Sequence, residues 1–128
     1  MPTPIQTDAA PAAIGPYAQG ILAGGLLFVS GQLGLEPQSG ELRGEDLAPQ
    51  ATQALANLKA VLEAGGCQLD DVAAVEVFLV DMGDFAEFNG LYEAFFGGHK
   101  PARAVVAVKA LPKGGRIEIK CTAVPSTP

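Results

Sequence analysis

The chain has 128 residues, 48% of them hydrophobic, which suits one domain with a real core and leaves no room for a second core of ordinary size. Eight basic against fourteen acidic side chains leave a net charge of −6. That excludes a nonspecific grip on a phosphate backbone, because counterion release needs clustered Lys and Arg.

Residues 1–16 carry four prolines and little periodicity, and read as an extended arm or loop rather than an element. They show neither the basic start nor the apolar stretch of a secretory signal. No apolar run reaches membrane-span length, so a cytoplasmic protein without a membrane partner is expected. Residues 18–23 and 26–30 read as two short strands around Gly24 and Gly25, a hairpin with glycines at positive φ. Residues 34–44 read as a loop.

From Leu47, the apolar positions Ala51, Ala54, Leu55, Leu58, Val61 and Leu62 recur at helical spacing. Asp46 is the candidate N-cap, Pro49 falls in the first turn, and Gly65 and Gly66 stop the helix. Residues 73–80 are apolar and β-branched with only Glu76 interrupting, which predicts a central strand buried on much of both faces. Asp84 and Glu87 resemble a capping box. After them Phe85, Phe88, Tyr92, Phe95 and Phe96 form the stripe of a second helix that Gly97 and Gly98 terminate. Asn89 lies at helical spacing from Phe85 and Tyr92, so its amide is expected to face inward.

Residues 104–108 and 116–124 read as the last two strands, joined through a tight glycine-containing connection. The order β-β-α-β-α-β-β makes the chain one α+β domain over residues 1–128. Two helices cover one face of a mixed sheet, and the other face is left for further copies of the chain. Ile117, Ile119 and Cys121 share one parity in the last strand, so Glu118 points to the opposite face.

Few residues offer chemistry. A single histidine, His99, with no Cys/His cluster beside it makes no metal site. Cys67 and Cys121 are spaced unlike a redox pair and read as reduced thiols. No glycine pattern matches a phosphate loop, so neither cofactor nor metal is indicated, and the phenylalanine stripe is core. Arg103, just before a strand, either grips a small carboxylate with its planar fork or serves as a surface salt-bridge partner. Glu118 is either a general acid–base or half of a cross-strand ion pair. Tyr17, Ser30 and Asn89 are polar groups near element ends or on an apolar stripe.

Taken together, AAIGPYAQG at 12–20, VSGQ at 29–32, DFA at 84–86, Asn89, YEAFF at 92–96, PAR at 101–103, LPK at 111–113 and IEI at 117–119 carry a resemblance. The chain resembles the reactive intermediate deaminase family, RidA/YjgF, over about residues 10–124. The resemblance implies a chorismate-mutase-like fold assembled as a homotrimer, with clefts between neighbouring subunits. It implies hydrolysis of 2-imino and 2-enamino acids to 2-keto acids and ammonia, without cofactor. By position, Arg103 matches the residue that holds the substrate carboxylate and Glu118 the one that positions or activates water. Tyr17, Ser30, Gly31 and Asn89 match cleft-lining residues. Many relatives carry cysteine where this chain has Val105, so only backbone contacts transfer to that substrate-binding position. The competing readings on the same fold are a small-acid sensor without turnover, a ribonuclease and a chaperone that holds unfolded chains.

Overall fold

The computed structural model describes residues 2–126, so Met1 of the arm lies outside the described residues. The strands are β1 (Thr3–Ile5), β2 (Gly20–Ala23), β3 (Leu26–Leu33), β4 (Val72–Leu79), β5 (Ala102–Ala107) and β6 (Ile117–Ala123). The helices are α1 (Leu47–Ala64) and α2 (Phe85–Phe96), with 3₁₀ turns at Leu69–Asp71, Met82–Asp84 and Pro112–Gly114. One six-stranded sheet runs in the order β1-β2-β3-β6-β4-β5, parallel only between β4 and β5.

Both helices pack on one face. The periodic side chains of α1 are buried with Phe88, Tyr92 and Phe96 of α2 against Val75, Val77 and Leu79 of β4 and Ile117, Ile119 and Cys121 of β6. Gly66, at φ +83, turns the chain at the end of α1, and the Cys67 N–H donates to the Leu62 carbonyl at 2.8 Å. Gly34 is needed for a different reason: a Cβ there would fall on the backbone of Gln50 in α1. No helix of the described residues is long and apolar enough to cross a membrane.

Five expectations are corrected. The arm is not wholly irregular, because β1 adds to the outer edge of β2, where the missing N–H of Pro4 costs no central ladder bond. Nor is β4 central or covered twice: it lies between β6 and the edge strand β5, and only its Val72, Val75, Val77 and Leu79 side is buried. Its continuous apolar run reflects a second face, with Ala74 and Phe78 partly covered, that the single chain leaves open.

The last two strands are not neighbours either, since β4 stands between them and the 3₁₀ turn at Pro112–Gly114 lies on the crossing. The predicted capping box does not form. Asp84 makes no cap bond and instead receives Arg116 Nη2 on both carboxylate oxygens at 2.9 Å, tying the start of α2 to the residue before β6. A charged guanidinium nitrogen at that distance outcompetes a backbone N–H for the carboxylate. Asn89, expected to face inward, is exposed and meets Arg103 instead.

Candidate active site

Arg103 and Glu118 stand on opposite faces of the sheet. Arg103 pairs in register with Val75 and Val105 with Val77, whose side chains are buried under the helices, so both residues of β5 point to the helix side. Glu118 alternates with buried Ile117 and Ile119 and faces the open side.

On the helix side, α2 builds a cradle for the guanidinium. Arg103 Nη1 donates to Asn89 Oδ1 at 2.7 Å. Its Cζ lies 4.8 Å from the centre of the Tyr92 ring and 5.7 Å from that of Phe85. One turn of helix separates Asn89 from Phe85 and Tyr92, which is why a single helix face supplies the hydrogen bond and both rings. The aromatic faces attract the cation and fix its plane, leaving other N–H groups of the fork for a planar anion. A cavity of about 280 Å³ adjoins it, lined also by His99, Lys100 and Pro101. His99 Nε2 donates to the Val72 carbonyl at 2.7 Å, which fixes that ring against β4. Tyr92 Oη is buried with no partner among the described residues, and burial pushes its hydroxyl pKa up, against the opposing pull of Arg103.

On the open side, Glu118 forms the floor of a second cavity of about 570 Å³, whose walls include Tyr17, Ser30, Gly31 and Lys120. The strand register breaks between Val29 and Gln32, so Ser30 and Gly31 form a bulge beside Glu118. A Cβ on Gly31 would meet Glu118 Cδ at 2.8 Å and Oε2 at 2.9 Å, so the carboxylate lies where only glycine leaves room. Burial raises the Glu118 carboxyl above its ordinary range, with Lys120 opposing. Directly across the ladder stand Leu33 and Phe78 rather than cations, which removes the cross-strand ion pair as its explanation.

Ser30 Oγ donates to the Ala18 carbonyl at 2.6 Å, so its proton is committed and its lone pairs remain. Tyr17 is about half exposed above the same cavity. Val105 is packed against the core and lines neither cavity. The described structure thus gathers Tyr17, Ser30, Gly31 and Glu118 into one group and Asn89 and Arg103 into another, and the two cavities share no lining residue. The thiols are poor nucleophiles: Cys121 is pushed up to about 12 by burial, and burial also raises Cys67.

Sequence reasoning missed the buried amides. Asn57, fully buried on α1, donates to the carbonyls of Leu33 and Leu35 at 3.0 and 2.9 Å. Its position on the stripe between Ala54 and Val61 was the available signal. Gln50 accepts from the Arg116 N–H at 2.8 Å, two residues before Glu118, and Gln19 holds the arm.

The family model described as Endoribonuclease L-PSP matches residues 7–125. The chain belongs to this family, the RidA/YjgF family. A protein of Escherichia coli K12 named 2-iminobutanoate/2-iminopropanoate deaminase is 47% identical over 123 residues, covering 94% of this chain and 95% of that protein. A relative from Pyrococcus horikoshii named RutC family protein PH0854 is 49% identical, covering 93% and 94%. The crystal structure of the YjgF gene product from E. coli superposes with a TM-score of 0.90 at 46% identity, covering 95% of this chain and 98% of that one. The match over residues 7–125 takes in both cavities and strands β2 to β6, with β1 preceding it.

Proposed function

We propose that the protein hydrolyses small 2-imino and 2-enamino acids, such as 2-iminopropanoate and 2-aminoacrylate, to 2-keto acids and ammonia in clefts formed between copies of the chain. The observation that carries the reading is the placement of a carboxylate-gripping fork and a raised carboxyl group on opposite faces of one sheet. One chain cannot bring them onto one small substrate; the open face of one copy set against the β5 edge of another can. Such a head-to-tail contact closes into a ring, and the number of copies the family resemblance implies is three, a homotrimer with three equivalent clefts. The deaminase names carried by relatives at 44–48% identity support the reaction class.

Arg103, held flat by Asn89 and the two rings, takes the substrate carboxylate in two-point fashion. That fixes the neighbouring C=N carbon, an electrophile that needs orientation more than activation. Glu118, as carboxylate, accepts a proton from water as its oxygen attacks the imine carbon. As the acid so formed, it gives that proton to the nitrogen; the C–N bond of the resulting carbinolamine then breaks as the hydroxyl proton passes, again through Glu118, to the leaving nitrogen, releasing the 2-keto acid and ammonia. A carboxyl raised by burial serves both directions near neutral pH better than one at its ordinary value. No covalent intermediate is needed.

The relatives also carry RutC and endoribonuclease names, but the net charge of −6 and the small cavities favour a small acid over RNA. The test generates 2-iminopropanoate in situ with an amino-acid oxidase and follows pyruvate and ammonia. Arg103→Ala is expected to lower kcat/KM about 100-fold through lost binding and orientation. Glu118→Ala should lower kcat by about 100-fold or more. Acceleration by neither wild type nor variants, with pyruvate still bound, would leave a small-acid sensor in its place.

A further inference from the structure

The wall of the Glu118 cavity is a free-standing strap. Residues 11–17 pass between two open spaces: the Glu118 cavity on one side, and on the other a groove lined by Thr7, Ala10 and Pro37. A segment with open space on both sides is not fixed by packing, so something else must hold it. Gln19 does. Its side chain lines both spaces and is only 3% exposed. Oε1 accepts from the Thr7 N–H at 2.7 Å, while Nε2 donates to the carbonyls of Thr7, Ala10 and Pro11 at 3.0, 3.3 and 2.8 Å. Two hydrogens shared among three carbonyls use the full donor capacity of the amide.

The strap's outer end is a turn built to present one side chain. Gly15 at φ +122 reverses the backbone, and the Tyr17 N–H donates to the Gly15 carbonyl at 2.9 Å. Ile14, 72% exposed, stands at the mouth of the Glu118 cavity with Tyr17. A single exposed isoleucine is ordinary on a surface. One standing at the rim of a cavity that also offers Leu33, Leu35 and Pro112 extends an apolar wall.

We propose that Gln19 is the positioning residue of this wall and that Ile14 determines which substrate side chains it favours, selecting aliphatic imino acids with branched chains over the shortest ones. This rests on the deaminase reading, since it names the surface that receives the substrate's side chain. Gln19→Glu keeps the acceptor for Thr7 but replaces the donor with an oxygen facing three carbonyls. Ile14→Ala removes the apolar contact at an exposed position with no expected effect on folding.

The experiment compares kcat and KM for the imines of leucine and alanine, with amide hydrogen exchange over residues 7–17. Ile14→Ala is expected to raise KM for the leucine-derived imine about tenfold and leave that for the alanine-derived one unchanged. Gln19→Glu is expected to speed exchange across the strap and to shift the same ratio in the same direction. The double variant should show no further shift, because both changes act through one surface. An unchanged ratio in Ile14→Ala overturns the proposal, as does a Gln19→Glu protein that exchanges like wild type. If Gln19→Glu fails to fold, Ile14→Ala alone decides the selectivity. Failure of wild type to hydrolyse either imine would instead strike the deaminase reading, and the exchange comparison would still decide whether Gln19 fixes the strap.

Discussion

Gly31 and Glu118 have to be understood together. Glycine at 31 has no unusual backbone angle that demands it; what demands it is the Glu118 side chain lying across the bulge. Since the atoms in the way are the flexible end of a glutamate, an added methyl moves the carboxylate rather than the strand. Gly31→Ala is therefore expected to lower kcat about 100-fold, the cost of misplacing a reacting group by about 1 Å, with the melting temperature almost unchanged. Steady-state kinetics beside a thermal melt checks it, and retained activity would mean that this position of Glu118 is not its working one.

The Glu118 carboxyl also leaves a mark on stability. Its pKa in the folded chain is raised from the ordinary 4.5. Protonation thus favours the fold, and that contribution is present in acid and is lost as pH rises through the raised value. Glu118→Gln stays neutral throughout. The variant should melt like wild type at acid pH and above it once the wild-type carboxyl ionises, with the gap opening upward from the ordinary carboxylate range. Paired melts across pH 4 to 8, spanning the acid-to-neutral range of a raised carboxyl, would show it, and a constant gap would mean that the carboxyl is not raised in the folded chain.

At the scale of elements, the sequence made legible whatever depends on neighbours along the chain. The α1 stripe, its glycine stop and the parity of β6 are local patterns, and each is found where the periodicity puts it. Partners distant in sequence were not legible. Asp84 looked like a cap because Glu87 follows it at the right spacing, but Arg116, 32 residues away, takes its carboxylate. The run at 73–80 reads as a strand buried twice because period alone cannot separate a face covered by helices from one left for another copy. Asn89 went wrong for the same reason: it sits beside Phe85 and Tyr92 in projection, yet that edge of α2 meets Arg103 rather than the core. Of the candidate site, Arg103, Glu118, Tyr17, Ser30 and Asn89 stand out in the sequence as polar groups, but their roles, with Gly31 and Val105, came from the family resemblance. Their division between two faces needed β5 to be placed beside β4, a pairing no local pattern records.

For the whole molecule, that division sets a test that a self-contained site could not pass. Arg103 is on the helix side and Glu118 on the open side, with Phe28 and Val106 also exposed on the open face at 44% and 46%. If a cleft takes Arg103 from one copy and Glu118 from its neighbour, Arg103→Ala and Glu118→Ala chains are each inactive alone but complement each other. After mixing in equal amounts under conditions that let subunits exchange, a cleft is intact when its arginine comes from the Glu118→Ala chain and its glutamate from the Arg103→Ala chain. Random association makes that about one cleft in four in a cyclic assembly. Recovery of about a quarter of wild-type activity is the expected outcome. Before exchange the same mixture should be silent, which separates shared clefts from a trace of wild-type contaminant. A mixture that stays inactive after exchange, in an oligomer that mass measurement shows to be mixed, would place both residues in one copy's site and overturn the shared cleft.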